Sequence, residues 1–201
     1  MEVIDFRYLT LSDPSNSMYK WCSRCVEAPT VISRIRELLH VKHPSVHNTG
    51  AGYGEFLNKI QLLFMSELEV EFKNVIHSDI LPTKEYNVKQ FNICADTNNM
   101  PFQFVVNVSV LEHLSDTDKI RALDNLYYHV GTGGYLIVTF DVPTCNLALI
   151  EQWVKRNIDP KPINALNGQN SPYQQEQYAH LNFVLLTVKK TLDFNNLYTG
   201  M

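Results

Sequence analysis

The sequence predicts one α/β domain: a doubly wound, mostly parallel sheet with helices on both faces and an antiparallel strand near the C-terminus. Three observations predict it. From Ser45 to Asp141, short strand-like runs alternate with amphipathic segments of helical length, and such alternation needs crossover connections that make neighbouring strands parallel. Glycines at 50, 52 and 54 follow the first of these runs directly, where a strand would turn into a helix. The chain has 201 residues, 45% hydrophobic and 19% charged, which suffices for one well-packed core and is short for two.

Taken in order, Trp21, Cys25, Val31, Ile32, Ile35 and Leu38 recur near helical spacing, so one or two helices precede the sheet, with Pro29 marking a break or a fresh first turn. No strand is assigned before them. After Pro44 come a short strand at 45–49, the glycine turn, a helix over 54–68, a strand over 74–79 and a turn at 81–87. A strand over 89–96, a loop over 97–101 and a strand over 102–110 follow. The helix over 115–130 opens on Ser115 with Asp118 three residues on, a capping pattern, and Gly131 opens a turn, GTGG, that leads into a strand over 135–141. A helix over 145–157, a polar Pro- and Gln-rich segment over 159–180 and a closing strand over 181–190 complete the chain. That strand should run antiparallel at or near the sheet edge, and the polar segment is long enough to serve as a lid.

Composition excludes several classes. A net charge of −4 without a Lys/Arg cluster argues against a nucleic-acid partner. The longest apolar runs fall well short of the roughly 20 residues that cross a bilayer. The first residues show no basic flank leading into an apolar region, so a soluble, cytoplasmic protein without membrane association is expected. Four cysteines are too few for a disulfide scaffold and are read as free thiols.

Two patterns mimic sites. Cys22 and Cys25 have the spacing of a redox dithiol, but the strand that chemistry needs before the pair is missing, and a zinc site would need a second ligand pair. His40, His43 and His47 are close in sequence, but Pro44 interrupts them and no single face collects them, so no metal is expected.

The glycine turn has a clearer use. Glycine allows positive φ and removes the Cβ that would hold a ligand away from the backbone, and the following helix offers unpaired N–H groups. The alternative is a tight turn without a ligand. Asp79 ends the next strand, where one carboxylate can accept from both hydroxyls of a ribose. Asp96 ends the strand after that, where it can accept from an exocyclic amine.

With these three strand ends in view, the chain resembles the class I S-adenosylmethionine-dependent methyltransferases. VHNTGAGYGEFL is similar to that family's nucleotide loop, VIHSD to its ribose acid and ICADTNNMPF to its adenine-side acid. VVNVSVLEHL and HVGTGGYLIVTFD are similar to the elements that follow, so the likeness spans about 45–141, with weaker echoes in SRCVEAPTVISRI and NFVLLTVKK. The resemblance implies a Rossmann-like domain with an N-terminal helical cap over 1–43, a cofactor-binding core over 44–141 and a C-terminal part over 142–201. It implies S-adenosylmethionine as cofactor and S-adenosylhomocysteine as product. Asn48, Gly50, Ala51, Gly52 and Tyr53 would lie along the methionine portion, Asp79 and Ile80 along the ribose, and Asp96 and Thr97 along the adenine. Asn107 and Ser109 would form the floor.

Methyl transfer from a sulfonium needs alignment more than a protein nucleophile. For a hydroxyl acceptor, His113 and Asp141 are the candidate bases at strand ends. Tyr19, Trp21, Arg24, Glu27, Tyr173, Tyr178 and His180 are candidate walls for a small-molecule or sugar acceptor. Two departures stand out: Asn48 replaces the acid the family most often carries two residues before the first glycine, and Gln103-Phe104 replaces its Phe-Asp pair. Losing the charge at Asn48 should cost on the order of 1 kcal/mol in cofactor affinity. A degenerate, noncatalytic member serving as a cofactor-binding or partner subunit is the alternative function. A nicotinamide oxidoreductase is disfavoured by Glu55 and Phe56, which continue into the helix where a dinucleotide site wants a third glycine.

Overall fold

The computed structural model describes residues 2–10, 24–52, 59–97, 100–142, 145–157 and 182–191. Seven strands form one sheet: β1 (Glu2–Thr10), β2 (Ser45–Thr49), β3 (Asn74–Asp79), β4 (Val88–Gln90), β5 (Phe102–Val108), β6 (Val130–Val142) and β7 (Asn182–Lys189). Four helices accompany them: α1 (Arg24–Leu38), α2 (Lys59–Phe72), α3 (Asp116–His129) and α4 (Leu147–Asn157). The strand order is β1-β7-β6-β5-β2-β3-β4. β6, β5, β2, β3 and β4 run parallel, and β7 lies antiparallel between β6 and β1. This is the expected doubly wound α/β architecture.

Each face of the sheet carries a pair of helices because its strands alternate apolar side chains on both sides. Ile32 and Ile35 of α1 and Phe64, Leu68 and Phe72 of α2 pack with Val46, Phe104, Val106 and Ile137 on one face. Ala122, Leu123 and Leu126 of α3 and Ile150, Trp153 and Val154 of α4 pack with Val105, Leu136 and Val138 on the other. The α3–α4 pair is clamped at its outer edge, where Trp153 Nε1 and the Arg156 guanidinium both donate to Asp124 Oδ1, at 2.7 and 2.8 Å.

Several boundaries differ from the sequence reading. β1 was not expected and pairs along its length with β7, which is therefore next to the edge. Pro29 does not break α1; it is exposed within the helix, and its missing N–H costs one intrahelical bond there. The strand read over 89–96 is confined to Val88–Gln90, because Asn92 Oδ1 accepts from Cys94 N at 2.9 Å and closes a turn instead. The GTGG segment is a bulge inside β6, where the register moves from Val130 to Tyr135 while β5 moves from Phe102 to Phe104. Gly133 takes φ +79° there, and a Cβ on Gly134 would lie 2.6 Å from Gln103 O. Ser115 caps α3 as its sequence suggested, accepting from Asp118 N at 3.2 Å.

Candidate functional site

The strand order reverses between β2 and β5: the chain leaves β2 towards β3 and β4, then returns to β5 on the other side. The loops after β2 and β5 diverge at this switch point, and ligands of open α/β sheets sit in the crevice so formed. The glycine turn and the segment from Ser109 to Val110 occupy it.

The turn is built from backbone ties. Ala51 N donates to Ser78 O at 3.0 Å, and Gly52 N donates to Asp79 Oδ2 at 3.0 Å. Asp79 is buried, and its Oδ1 also accepts from Leu81 N at 3.4 Å, so two of about four acceptor positions on the carboxylate are taken by its own chain. Gly50 and Gly52 have φ of 67° and 108°, values only glycine adopts freely. At Gly50 the absent Cβ leaves room for the protein itself: a Cβ would lie 2.3 Å from Val110 Cγ2 and 3.3 Å from Asn107 Nδ2.

Below the turn, Asn107 Nδ2 donates to Thr49 O and Thr49 Oγ1, at 3.2 and 3.0 Å, joining the ends of β5 and β2. Ser109 holds the left-handed φ of 52°, donates from its backbone to Thr139 O at 3.1 Å and from its hydroxyl to Glu27 Oε2 at 2.6 Å. Glu27 belongs to the first turn of α1 and is fully buried. Residues read from sequence as a cofactor floor thus staple the strand tips to one another and to α1.

Asn48, Gly50, Ala51 and Val108 line a narrow cavity of about 20 Å³ with Ala28 of α1 and Gln61 and Phe64 of α2. That is room for about one water molecule, well below the roughly 300–1,000 Å³ of open small-molecule sites. Ala28, Gln61 and Phe64 were not singled out by sequence; their signal was only their place on helices flanking the glycine turn. Asn48 is buried, and its Nδ2 lies 3.0 Å from His77 Nδ1, its register partner on β3. His77 Nε2 in turn lies 3.2 Å from Glu69 Oε1 of α2. Burial pushes the His77 imidazole below its ordinary value, and the Glu69 carboxylate opposes that in part.

The remaining candidates are not among the described residues that line this cavity. Ile80 is exposed at the end of β3. Asp96 and Thr97 are exposed, and Asp96 is not at a strand tip: its Oδ2 accepts from Asn92 N at 2.6 Å within the turn after β4. Asn125 of α3 donates from Nδ2 to Ile93 O at 3.1 Å and also to Asp96 O, pinning that turn to the helix. His113 is exposed in a 3-10 turn, Leu111–His113, and Asp141 is half-buried in β6 with its carbonyl accepting from Cys145 N. Tyr53, Tyr19, Trp21, Cys22, Tyr173, Tyr178 and His180 lie outside the described residues.

The histidines separate as well. His40 and His43 are exposed between α1 and β2, whereas His47 is buried on the α3 side of β2. His47 Nε2 lies 2.8 Å from Ser78 Oγ, and the ring packs against Phe91, Phe102 and His129. Burial, with His129 nearby, pushes its pKa down to about 3. Among the described residues no group of three or more His, Cys, Asp or Glu side chains is placed to hold a metal ion, and no helix is long and apolar enough to cross a membrane.

No protein-family model matches the chain. No curated protein matches it. Solved structures share its fold. The N-methyltransferase NodS from Bradyrhizobium japonicum, solved with S-adenosyl-L-homocysteine, superposes with a TM-score of 0.55 at 15% identity, over 88% of this chain and 92% of that one. A TehB-like SAM-dependent methyltransferase from Corynebacterium glutamicum gives 0.50 at 13% identity, over 83% and 100%. Against the sugar N-methyltransferase KedS8 from Streptoalloteichus, at 17% identity and a TM-score of 0.46, the match covers 65% of this chain and only 54% of that longer protein.

Proposed function

We propose that this chain is an S-adenosylmethionine-dependent methyltransferase acting on a small-molecule or sugar acceptor. The observation that carries the reading is the convergence, at the switch point of a fold shared with NodS, of the glycine turn, the buried Asp79 carboxylate and the narrow cavity beside Asn48 and Gly50. The residues present suit the cofactor. Asn48, Gly50 and Ala51 would lie beside its aminoacyl end, with Gly52 and Tyr53 continuing the turn. The acceptor positions of Asp79 not taken by Gly52 and Leu81 would serve the ribose next to Ile80. Asp96 and Thr97 would stand at the adenine edge, and Asn107 and Ser109 would support the turn from below.

When bound, the cofactor supplies an activated methyl group on a sulfonium. The chain's contribution is then to hold donor and acceptor in line and to exclude water. His113 or Asp141 would take a proton from a hydroxyl acceptor. A noncatalytic, cofactor-binding role is the second reading, favoured by the exposure of His113 and by neither candidate base being among the described residues that line the cavity.

Calorimetric titration with S-adenosylmethionine and S-adenosylhomocysteine tests the site. Micromolar binding that Asp79→Ala abolishes while the fold persists supports it, and absence of binding by the native chain refutes it. Methyl incorporation into a panel of amine and hydroxyl acceptors then separates the two readings.

A further inference from the structure

Asn48 stands where a carboxylate would give the aminoacyl end of the cofactor a charged acceptor, and it is one member of a chain of contacts that leads to the surface. Glu69 on α2 is half-exposed, His77 on β3 is buried, and Asn48 on β2 is buried and lines the cavity beside Gly50. The spacings along the chain are 3.2 Å from Glu69 Oε1 to His77 Nε2 and 3.0 Å from His77 Nδ1 to Asn48 Nδ2. The charge of a carboxylate 3.2 Å from Nε2 favours the tautomer with its proton there, although the two are not aligned as a hydrogen bond. Nδ1 is then a lone-pair acceptor, and the Asn48 group that meets it must be the NH2. The amide is thereby oriented, and the atom Asn48 can offer to the cavity is Oδ1, an acceptor.

Resting on the methyltransferase reading above, we propose that Glu69 and His77 are positioning residues that hold Asn48 with its carbonyl oxygen towards the cofactor's amino group, so that cofactor affinity depends on the neutral state of His77. Protonated at both nitrogens, His77 would have no lone pair for the Asn48 NH2. The amide would turn over and present two donors to an ammonium. Among the described residues the charged group acting on His77 is Glu69 from α2; Asp79 stands two residues along its own strand, the apolar Val88 of β4 is its register partner, and the His47 imidazole interacts with it electrostatically. His47 and Lys89 neighbour these positions in sequence on β2 and β4, one residue from Asn48 and from Val88, and so point to the opposite face of the sheet.

The test is calorimetric titration with S-adenosylhomocysteine between pH 7.5 and 4.5, a window that extends below the ordinary imidazole value, with circular dichroism at each pH to show that the chain stays folded. Because burial keeps His77 neutral to below the ordinary imidazole range, the native chain should lose affinity progressively towards the acid end, approaching roughly tenfold, the worth of one charge-assisted hydrogen bond. Asn48→Asp, whose carboxylate is an acceptor in either orientation, should bind with little pH dependence. Glu69→Ala, an exposed change, should weaken binding at pH 7.5, and ¹⁵N spectra should lose the Nε2–H signature of His77. Native binding that is flat with pH, or an equal slope in Asn48→Asp, overturns the relay and leaves the cofactor site standing. Absence of binding at every pH overturns both.

Discussion

Gly52 N donates to Asp79 Oδ2 at 3.0 Å, so the turn after β2 is tied to the tip of β3 by the same carboxylate proposed for the ribose. One side chain thus has a structural and a binding role, and two substitutions separate them. Asp79→Asn keeps an acceptor for the Gly52 amide and removes the charge. It should keep the melting temperature within a few degrees while weakening S-adenosylhomocysteine binding about tenfold or more. Asp79→Ala should lose both, with an added stability loss of about 1–3 kcal/mol from the orphaned buried amide, read by urea denaturation.

Gly50 has no room for a Cβ beside Val110, and this restriction is internal to the protein. Gly50→Ala should destabilise the fold by about 2–4 kcal/mol, combining left-handed backbone strain with overpacking against Val110 Cγ2. In Gly50→Ala/Val110→Ala the overpacking part, about 1–3 kcal/mol, should return and the strain should remain. Simple additivity of the two single substitutions in denaturant melts would show that the contact does not limit the position.

That contact also shows what was legible in the sequence. Local signals were read well: the alternation from Ser45 onward, the Ser115 cap and the acid ending β3 all depend on neighbouring residues. Non-local relations were not. β1 carries a period of two, with Ile4, Phe6 and Tyr8 alternating with Asp5 and Arg7, but its partner β7 lies at the far end of the chain. Apolar Phe91 and Ile93 read as a continuing strand, whereas the Asn92 side chain closed a turn. Gly50 was read as space for a ligand because Val110, sixty residues on, is visible only once β2 and β5 are adjacent. The Asn48–His77 pair was hidden for the same reason, since strand register sets it.

His47 predicts an acid-sensitive stability. Its native pKa of about 3 lies below the ordinary value of 6.5, so between those values the unfolded chain binds a proton that the native chain does not. Stability therefore rises with pH across this window and falls on acidification, by about 1.4 kcal/mol per pH unit for this group. Above the ordinary value the group adds no slope. His47→Gln should reduce the pH slope of the unfolding free energy by about that amount, measured by urea melts between pH 4 and 6. An unchanged slope would assign the acid sensitivity to other groups, such as His129, which burial also pushes down.

Asn125 predicts a distant effect on cofactor selectivity. The turn after β4 is closed by Asn92 N to Asp96 Oδ2 and Asp96 N to Asn92 O, and Asn125 Nδ2 fastens it to α3 through Ile93 O and Asp96 O. Asp96 is exposed, and its Oδ1 takes no part in those bonds. If Asp96 accepts from the adenine amine, Asn125→Ala should loosen the turn and narrow the preference for S-adenosylhomocysteine over its inosine analogue, which lacks that amine. Because Asn125 is only half-buried, the stability loss should stay near 1 kcal/mol. Parallel titrations with the two nucleosides measure the preference. A preference unchanged in the variant would show that the turn does not read the base.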